Sequence, residues 1–175
     1  MLRDKYSAQI EEVVARYPVR RSALLPLLTL AQHEEGYVSE AAMKEIAAIL
    51  RLTPPQVYEV ATFYTMLNLK PIGKFHIQVC KSLMCALVGS DTLLDWLYAR
   101  LRIRPGETTP DQLFTLSTVE CLASCGTGPM MQVNEDYYER LTEEKLDQIL
   151  ADLRHDRVSS LKSGPFMLPE FHQSQ

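Results

Sequence analysis

A chain of 175 residues, 46% hydrophobic and 23% charged, has the make-up of a globular protein and can bury about 70% of the surface its unfolded form exposes, enough for one domain or one domain with a smaller companion. Eighteen Lys and Arg against 22 Asp and Glu give a net charge of -4, so the basic footprint of a nucleic-acid binder is missing, and no apolar run approaches the ~20 residues of a membrane span. The opening residues Met1 to Tyr6 have neither an apolar signal core nor an Arg-rich transit character; a cytoplasmic protein is expected, in whose reducing surroundings four cysteines point to metal or redox chemistry before disulfides.

The first part of the chain, 1–72, reads as a module of four helices. Ser7 caps the first, with Ile10, Val13, Val14 and Tyr17 on one face and Pro18 stopping it. The second runs from Ser22 to Glu35, turns Leu24, Leu27, Leu28 and Ala31 inward and ends at Gly36. Pro26 falls in its first turn, where backbone N–H groups have no intrahelical partner to lose. The third starts at Ser39 and buries Met43, Ile46, Ala47 and Leu50; the fourth opens on Thr53-Pro54-Pro55-Gln56, a capping box with proline at the first helical position.

Beyond Gly73 the period changes. Phe75, Ile77 and Val79 alternate with His76 and Gln78 up to Cys80, the mark of a strand. A helix from Ser90 to Leu101 follows, then a second strand through Phe114, Leu116 and Thr118 towards Cys121. Met130–Asn134 and Tyr137–Leu141 read as a hairpin turning at Glu135-Asp136, and Thr142 caps a last helix with Leu146, Ile149, Leu150 and Leu153 inward. The fold class expected is therefore α+β: the helical module, a β-α-β-β-β-α domain over 73–155, and an irregular tail over 156–175.

Both cysteine pairs stand where a strand gives way to a loop, as Cys80-x4-Cys85 and Cys121-x3-Cys125. Four thiolates suit either a [2Fe–2S] cluster or a tetrahedral zinc. Zinc ribbons commonly use C-x2-C, and the wider first loop is closer to the first pair of plant-type ferredoxins. The thiol–disulfide signature C-x-x-C is absent. Gly126 and Gly128 would let backbone N–H groups approach the sulfurs.

The run His76-Ile77-Gln78-Val79-Cys80, then Cys85 and Gly89, then Val119-Glu120-Cys121-Leu122-Ala123-Ser124-Cys125-Gly126-Thr127-Gly128-Pro129 through Asn134 resembles the thioredoxin-like [2Fe–2S] ferredoxin family, in particular its complex I branch. Tyr17-Pro18 through Gln32, Gly36-Tyr37-Val38 and Val60-Ala61-Thr62-Phe63-Tyr64 also match, so the resemblance covers about residues 15 to 155. It implies a thioredoxin-like domain, one [2Fe–2S] cluster ligated by Cys80, Cys85, Cys121 and Cys125, and electron transfer within NADH:quinone oxidoreductase. It further implies a flavoprotein partner that binds FMN and NADH, and a place in the peripheral arm of a bacterial inner-membrane complex, without catalysis by the chain alone. NAD-linked formate dehydrogenases and NAD-reducing hydrogenases share these motifs; the tail Lys162-Ser163-Gly164-Pro165 resembles the complex I chains. Two positions depart from the family pattern. Ala123 replaces a usual glycine, adding strain if that position needs positive φ, and Lys81 puts a cation after the first cysteine.

Several residues have an ordinary reading beside a functional one. His76 could serve as a Rieske-type ligand but reads better as a hydrogen-bonded strand histidine. His33-Glu34-Glu35 lacks an i,i+4 histidine pair and reads as a polar helix end. Tyr58, Phe63 and Tyr64 read as core, with a partner-facing role as the alternative. Met130 and Met131 read as strand packing, and Pro129 as either a cis-proline or a trans-proline opening a strand. Two other classes of function compete: a zinc-stabilised binding module, and a helix-turn-helix regulator whose recognition helix, 54–67, would have no Lys or Arg to meet phosphate.

Overall fold

A computed structural model of the chain describes residues 2–157 and the backbone of 164–165. The chain divides into two compact units, Met1–Ile72 and Gly73–Gln175.

The first unit packs α1 (Leu2–Ala15), a 3-10 turn (Arg20–Ala23), α2 (Leu24–Glu35), α3 (Glu40–Leu50) and α4 (Pro54–Phe63). Its core joins Leu24, Leu27, Leu28 and Ala31 of α2 to Ala42, Met43, Ile46 and Leu50 of α3 and Val57 and Ala61 of α4. Each fully buried leucine or isoleucine there contributes about 1.5–3 kcal/mol. The caps follow the sequence. Ser39 Oγ accepts from Ala42 N–H at 3.1 Å, Gln56 Oε1 accepts from Thr53 N–H at 2.9 Å, and Gly36 ends α2 at φ 78.

Two starts differ from the sequence reading. Ser7 does not open α1, which begins at Leu2 and is kinked at Tyr6 (φ -124). The Leu2 and Arg3 N–H groups donate to the Glu45 carboxylate at 2.9 and 2.8 Å, so α3 caps α1 from across the unit. Ser22 lies inside the 3-10 turn, and α2 proper starts two residues later. Pro26 still falls in the first turn of α2, where it displaces no hydrogen bond.

The second unit carries a five-stranded sheet in the order β2-β1-β3-β4-β5, from β1 (Phe75–Cys80), β2 (Phe114–Val119), β3 (Met131–Val133), β4 (Asp136–Tyr138) and β5 (Gly164–Pro165). Its helices are α5 (Leu83–Leu87), α6 (Ser90–Leu101) and α7 (Glu143–Arg154). β1 and β2 are parallel, from Phe75↔Phe114 to Cys80↔Val119, and the remaining pairs are antiparallel. Leu93 and Leu97 of α6 and Leu146, Ile149, Leu150 and Leu153 of α7 close over Ile77, Val79 and Leu116 in one core. Arg100 of α6 pairs with Asp147 and Glu143 of α7, which sets the two helices side by side.

Three details correct the sequence reading of this unit. The five-residue helix α5 occupies the stretch expected to be a loop. The hairpin turns at Asn134-Glu135 instead of Glu135-Asp136, because Asn134 takes a positive φ of 53 and its Oδ1 accepts from the His76 N–H of β1 at 2.9 Å. Within the tail expected to be irregular, Gly164–Pro165 pairs with β4; 158–163 and 166–175 lie outside the described residues. Among the described residues no helix is long and apolar enough to cross a membrane.

The cap across the first unit can be tested directly. Glu45→Ala should cost about 1 kcal/mol, the usual effect of losing an N-terminal cap. It should show as a lower denaturant midpoint and as faster amide exchange at Leu2 and Arg3, with exchange in α4 unchanged.

Candidate metal centre

Parallel pairing brings the two cysteine loops to one place. Because β1 and β2 run the same way with Cys80 opposite Val119, both strands release their loops at the same end of the sheet. The Cys80 thiol donates to the Glu120 carbonyl at 3.0 Å, and Lys81 N–H donates to Val119 O at 3.0 Å. α5 then turns the first loop back so that Cys85 buries beside Cys80, each 2% exposed, against Met130. Cys121 and Cys125 are exposed. Gly128 seals the contact between the loops, since a Cβ there would stand 2.8 Å from Val88 Cγ2 and 3.4 Å from Cys85 Sγ.

The donor set fits a two-iron cluster. Cys121 Sγ and Cys125 Sγ are 3.8 Å apart, far beyond the ~2.05 Å of a disulfide. Two thiolates on one tetrahedral metal with bonds of about 2.3 Å stand about 3.8 Å apart. Two irons need two such thiolate pairs, and beside the exposed pair Cys85 lies against Cys80 as the second. Burial pushes the Cys85 thiol up to about 11, with the neighbouring Cys80 sulfur adding to the shift and a Met130 backbone hydrogen bond opposing it. The hydrogen bond and charge of Cys121 raise Cys125. A metal ligand must be the thiolate, so a bound cation would offset the cost that burial puts on the charge of Cys85 and that Cys121 puts on the charge of Cys125.

Backbone N–H groups do approach the sulfurs, and of the two glycines singled out by sequence Gly128 lies against one, that of Cys85. Ala123 N–H donates to Cys121 Sγ at 3.3 Å and Met130 serves Cys85, while a Cβ on Gly126 would meet nothing within 4 Å. Ala123 does adopt a positive φ, 61, the strained setting that glycine avoids. Lys81 Nζ lies 3.8 Å from Glu120 Oε1, both exposed, so a carboxylate offsets that cation.

Sequence reasoning missed what holds the second loop. Tyr137 Oη donates to Leu122 O at 3.0 Å, and the Glu139 carboxylate accepts from the Ser124 and Thr127 hydroxyls. Arg140 N–H donates to Thr127 O at 2.7 Å and Leu141 N–H to Pro129 O at 3.0 Å. These partners are strand neighbours brought in by the hairpin, and no local motif announces them. The Gly128-Pro129 bond is cis.

The remaining residues of the sequence reading fall elsewhere. His76 hydrogen-bonds Ser117 Oγ at 2.8 Å, and burial lowers its pKa. It stands four residues, roughly 13 Å of strand, from Cys80, out of reach of a shared metal. Glu34 binds Lys5 and Tyr6 as part of a polar helix end. Met130 and Met131 are fully buried packing residues. Tyr64 packs on the core, but Tyr58 and Phe63 do not: they are 55% and 77% exposed, because α4 turns Val57 and Ala61 inward instead.

The family model described as thioredoxin-like [2Fe-2S] ferredoxin matches residues 10–154. A subunit of the NADH-quinone oxidoreductase of Rhizobium meliloti (strain 1021) is 48% identical over 155 residues, covering 88% of this chain and 92% of that protein. NADH-quinone oxidoreductase subunit 2 of Thermus thermophilus is 46% identical over 148 residues, covering 83% and 82%. The crystal structure of an NAD+-reducing [NiFe]-hydrogenase in the air-oxidized state matches with a TM-score of 0.66 at 20% identity, over 74% of this chain and 23% of that one; at such identity the likeness is of fold alone. With the family model matched over most of its length, the chain belongs to the thioredoxin-like [2Fe–2S] ferredoxin family.

Proposed function

We propose that this chain is an electron-transfer subunit of an NADH:quinone oxidoreductase, its [2Fe–2S] cluster held by Cys80, Cys85, Cys121 and Cys125 next to a flavoprotein subunit that binds FMN and NADH. The observation that carries this reading is the pairing of thiols at one sheet end, with the exposed pair already at the spacing one iron requires. Identities of 44–48% to subunits of that oxidoreductase favour it over the hydrogenase-type assembly, where identity is 20%. Cys121 and Cys125 would hold one iron, and Cys80 and Cys85 the other. A cluster of this kind accepts and returns single electrons.

The protein's own groups do the rest. N–H donation from Ala123 and Met130 offsets thiolate charge. Met130, Leu122 and Tyr137 pack on the buried pair and keep water from it. Around the first loop, Leu83 and Leu87 are 71% and 72% exposed, with Met84 and Val88 about half so. This apolar surface beside the ligands is where the flavoprotein docks, a contact that shortens the path between the redox groups. The helical unit contributes no cysteine and has a docking role, with Tyr58 and Phe63 available to a neighbouring subunit. The whole lies in the peripheral arm, on the cytoplasmic side of a bacterial inner membrane.

Purified protein should hold two irons and two acid-labile sulfides per chain, with the absorption of a [2Fe–2S] centre and little zinc. Cys→Ser at any of the four positions should lose or alter that spectrum. Stoichiometric zinc without sulfide would identify a zinc-stabilised module instead. Leu87→Glu should reduce copurification with the flavoprotein at least tenfold, about 1.4 kcal/mol or more, while iron content and spectrum stay unchanged.

A further inference from the structure

The loop that carries the exposed cysteine pair has little backbone structure of its own. Between Val119 and Met131 it makes a single 3-10 turn, Cys125–Thr127, and Ala123 is held at φ 61, where an L-residue is disfavoured. Something outside the loop must keep it in that shape. The Ser124 and Thr127 hydroxyls, 2.6 Å apart, both donate to one carboxylate oxygen, Oε1 of Glu139, in the segment just after β4. Ser124 adjoins the ligand Cys125 and Thr127 lies two residues beyond it, so the two bonds straddle that cysteine. Glu139 is half-buried, which strengthens a charge-assisted hydrogen bond relative to one in water.

We propose that Glu139 is a positioning residue for the electron-transfer centre: its carboxylate fixes the Cys121–Cys125 loop through Ser124 and Thr127 and sets a negative charge beside the centre that lowers its potential. This rests on the ligation reading above. The charge follows the same geometry, because a carboxylate bonded to the ligand loop cannot move away from it. A fixed negative charge disfavours the added electron, so neutralising it favours the reduced form. The roles separate by variant. Glu139→Ala removes both acceptor and charge; Glu139→Gln keeps an amide oxygen for the hydroxyls and removes only the charge.

Two measurements on the full chain test this. In cluster-free protein, iodoacetamide labelling followed by mass spectrometry should be at least threefold faster at Cys121 and Cys125 in Glu139→Ala than in the parent, with Cys80 and Cys85 unchanged. In cluster-loaded protein, redox titration of Glu139→Gln should show a raised midpoint. At fixed poise its oxidised-to-reduced ratio should fall several-fold, tenfold corresponding to about 59 mV for one electron. Equal labelling rates, acceleration at all four cysteines alike, or an unchanged or lowered midpoint would overturn the proposal. If Glu139→Ala does not fold, Thr127→Val carries the labelling test from the loop side with the same expected result. A parent protein that binds no iron would instead refute the ligation reading, and the labelling arm would still report on the loop.

Discussion

The parallel ladder between β1 and β2 decides where the thiols can be. Cys80 is the last residue of β1 and stands opposite Val119, the last of β2; each strand then leads directly into a cysteine loop. An antiparallel pair would send the loops to opposite ends of the sheet, and a slip of one residue would turn Cys80 to the other face. Ile77 and Val79 resist such a slip because both are fully buried against α6 and α7. The register of a hydrophobic core therefore also sets the geometry of a redox centre.

Around that fixed end the two pairs are treated differently. Cys80 and Cys85 sit against Met130 under the first loop, almost without solvent, while Cys121 and Cys125 are exposed on a loop held from outside. Buried thiols gain a dry surrounding, and burial raises the cost of their charge. Exposed ones depend on side-chain ties for their position. The hairpin β3–β4 serves both. Met130, just before it, packs on the first pair, and Tyr137 and Glu139 hold the second loop.

The apolar surface of α5 belongs to the same arrangement. Leu83 and Leu87 gain nothing from solvent exposure, and their placement on the first cysteine loop suits a surface covered by another subunit. Relatives at 44–48% identity are, by name, subunits of NADH-quinone oxidoreductase. In the first unit, Tyr58 and Phe63 show the same mismatch between side chain and surroundings.

Much of this was legible in the sequence, because local rules govern it. The caps at Ser39, Thr53 and Thr142, the left-handed stop at Gly36, the alternation in β1 and β2 and the cysteine spacing all depend on residues a few positions apart. The strain possible at Ala123 was legible too, as a departure from the family pattern, and its φ of 61 bears that out. What tertiary structure alone decided involves partners far apart in the chain. Glu45 starts α1 some forty residues before its own position, Asn134 moves the hairpin turn by bonding to β1, and α5 forms where no periodicity of five residues can be read. Glu139 reaches Ser124 and Thr127 only once β4 has paired with β3. Hydrogen bonds between distant residues leave no period or spacing in a sequence, so only the folded chain brings them together.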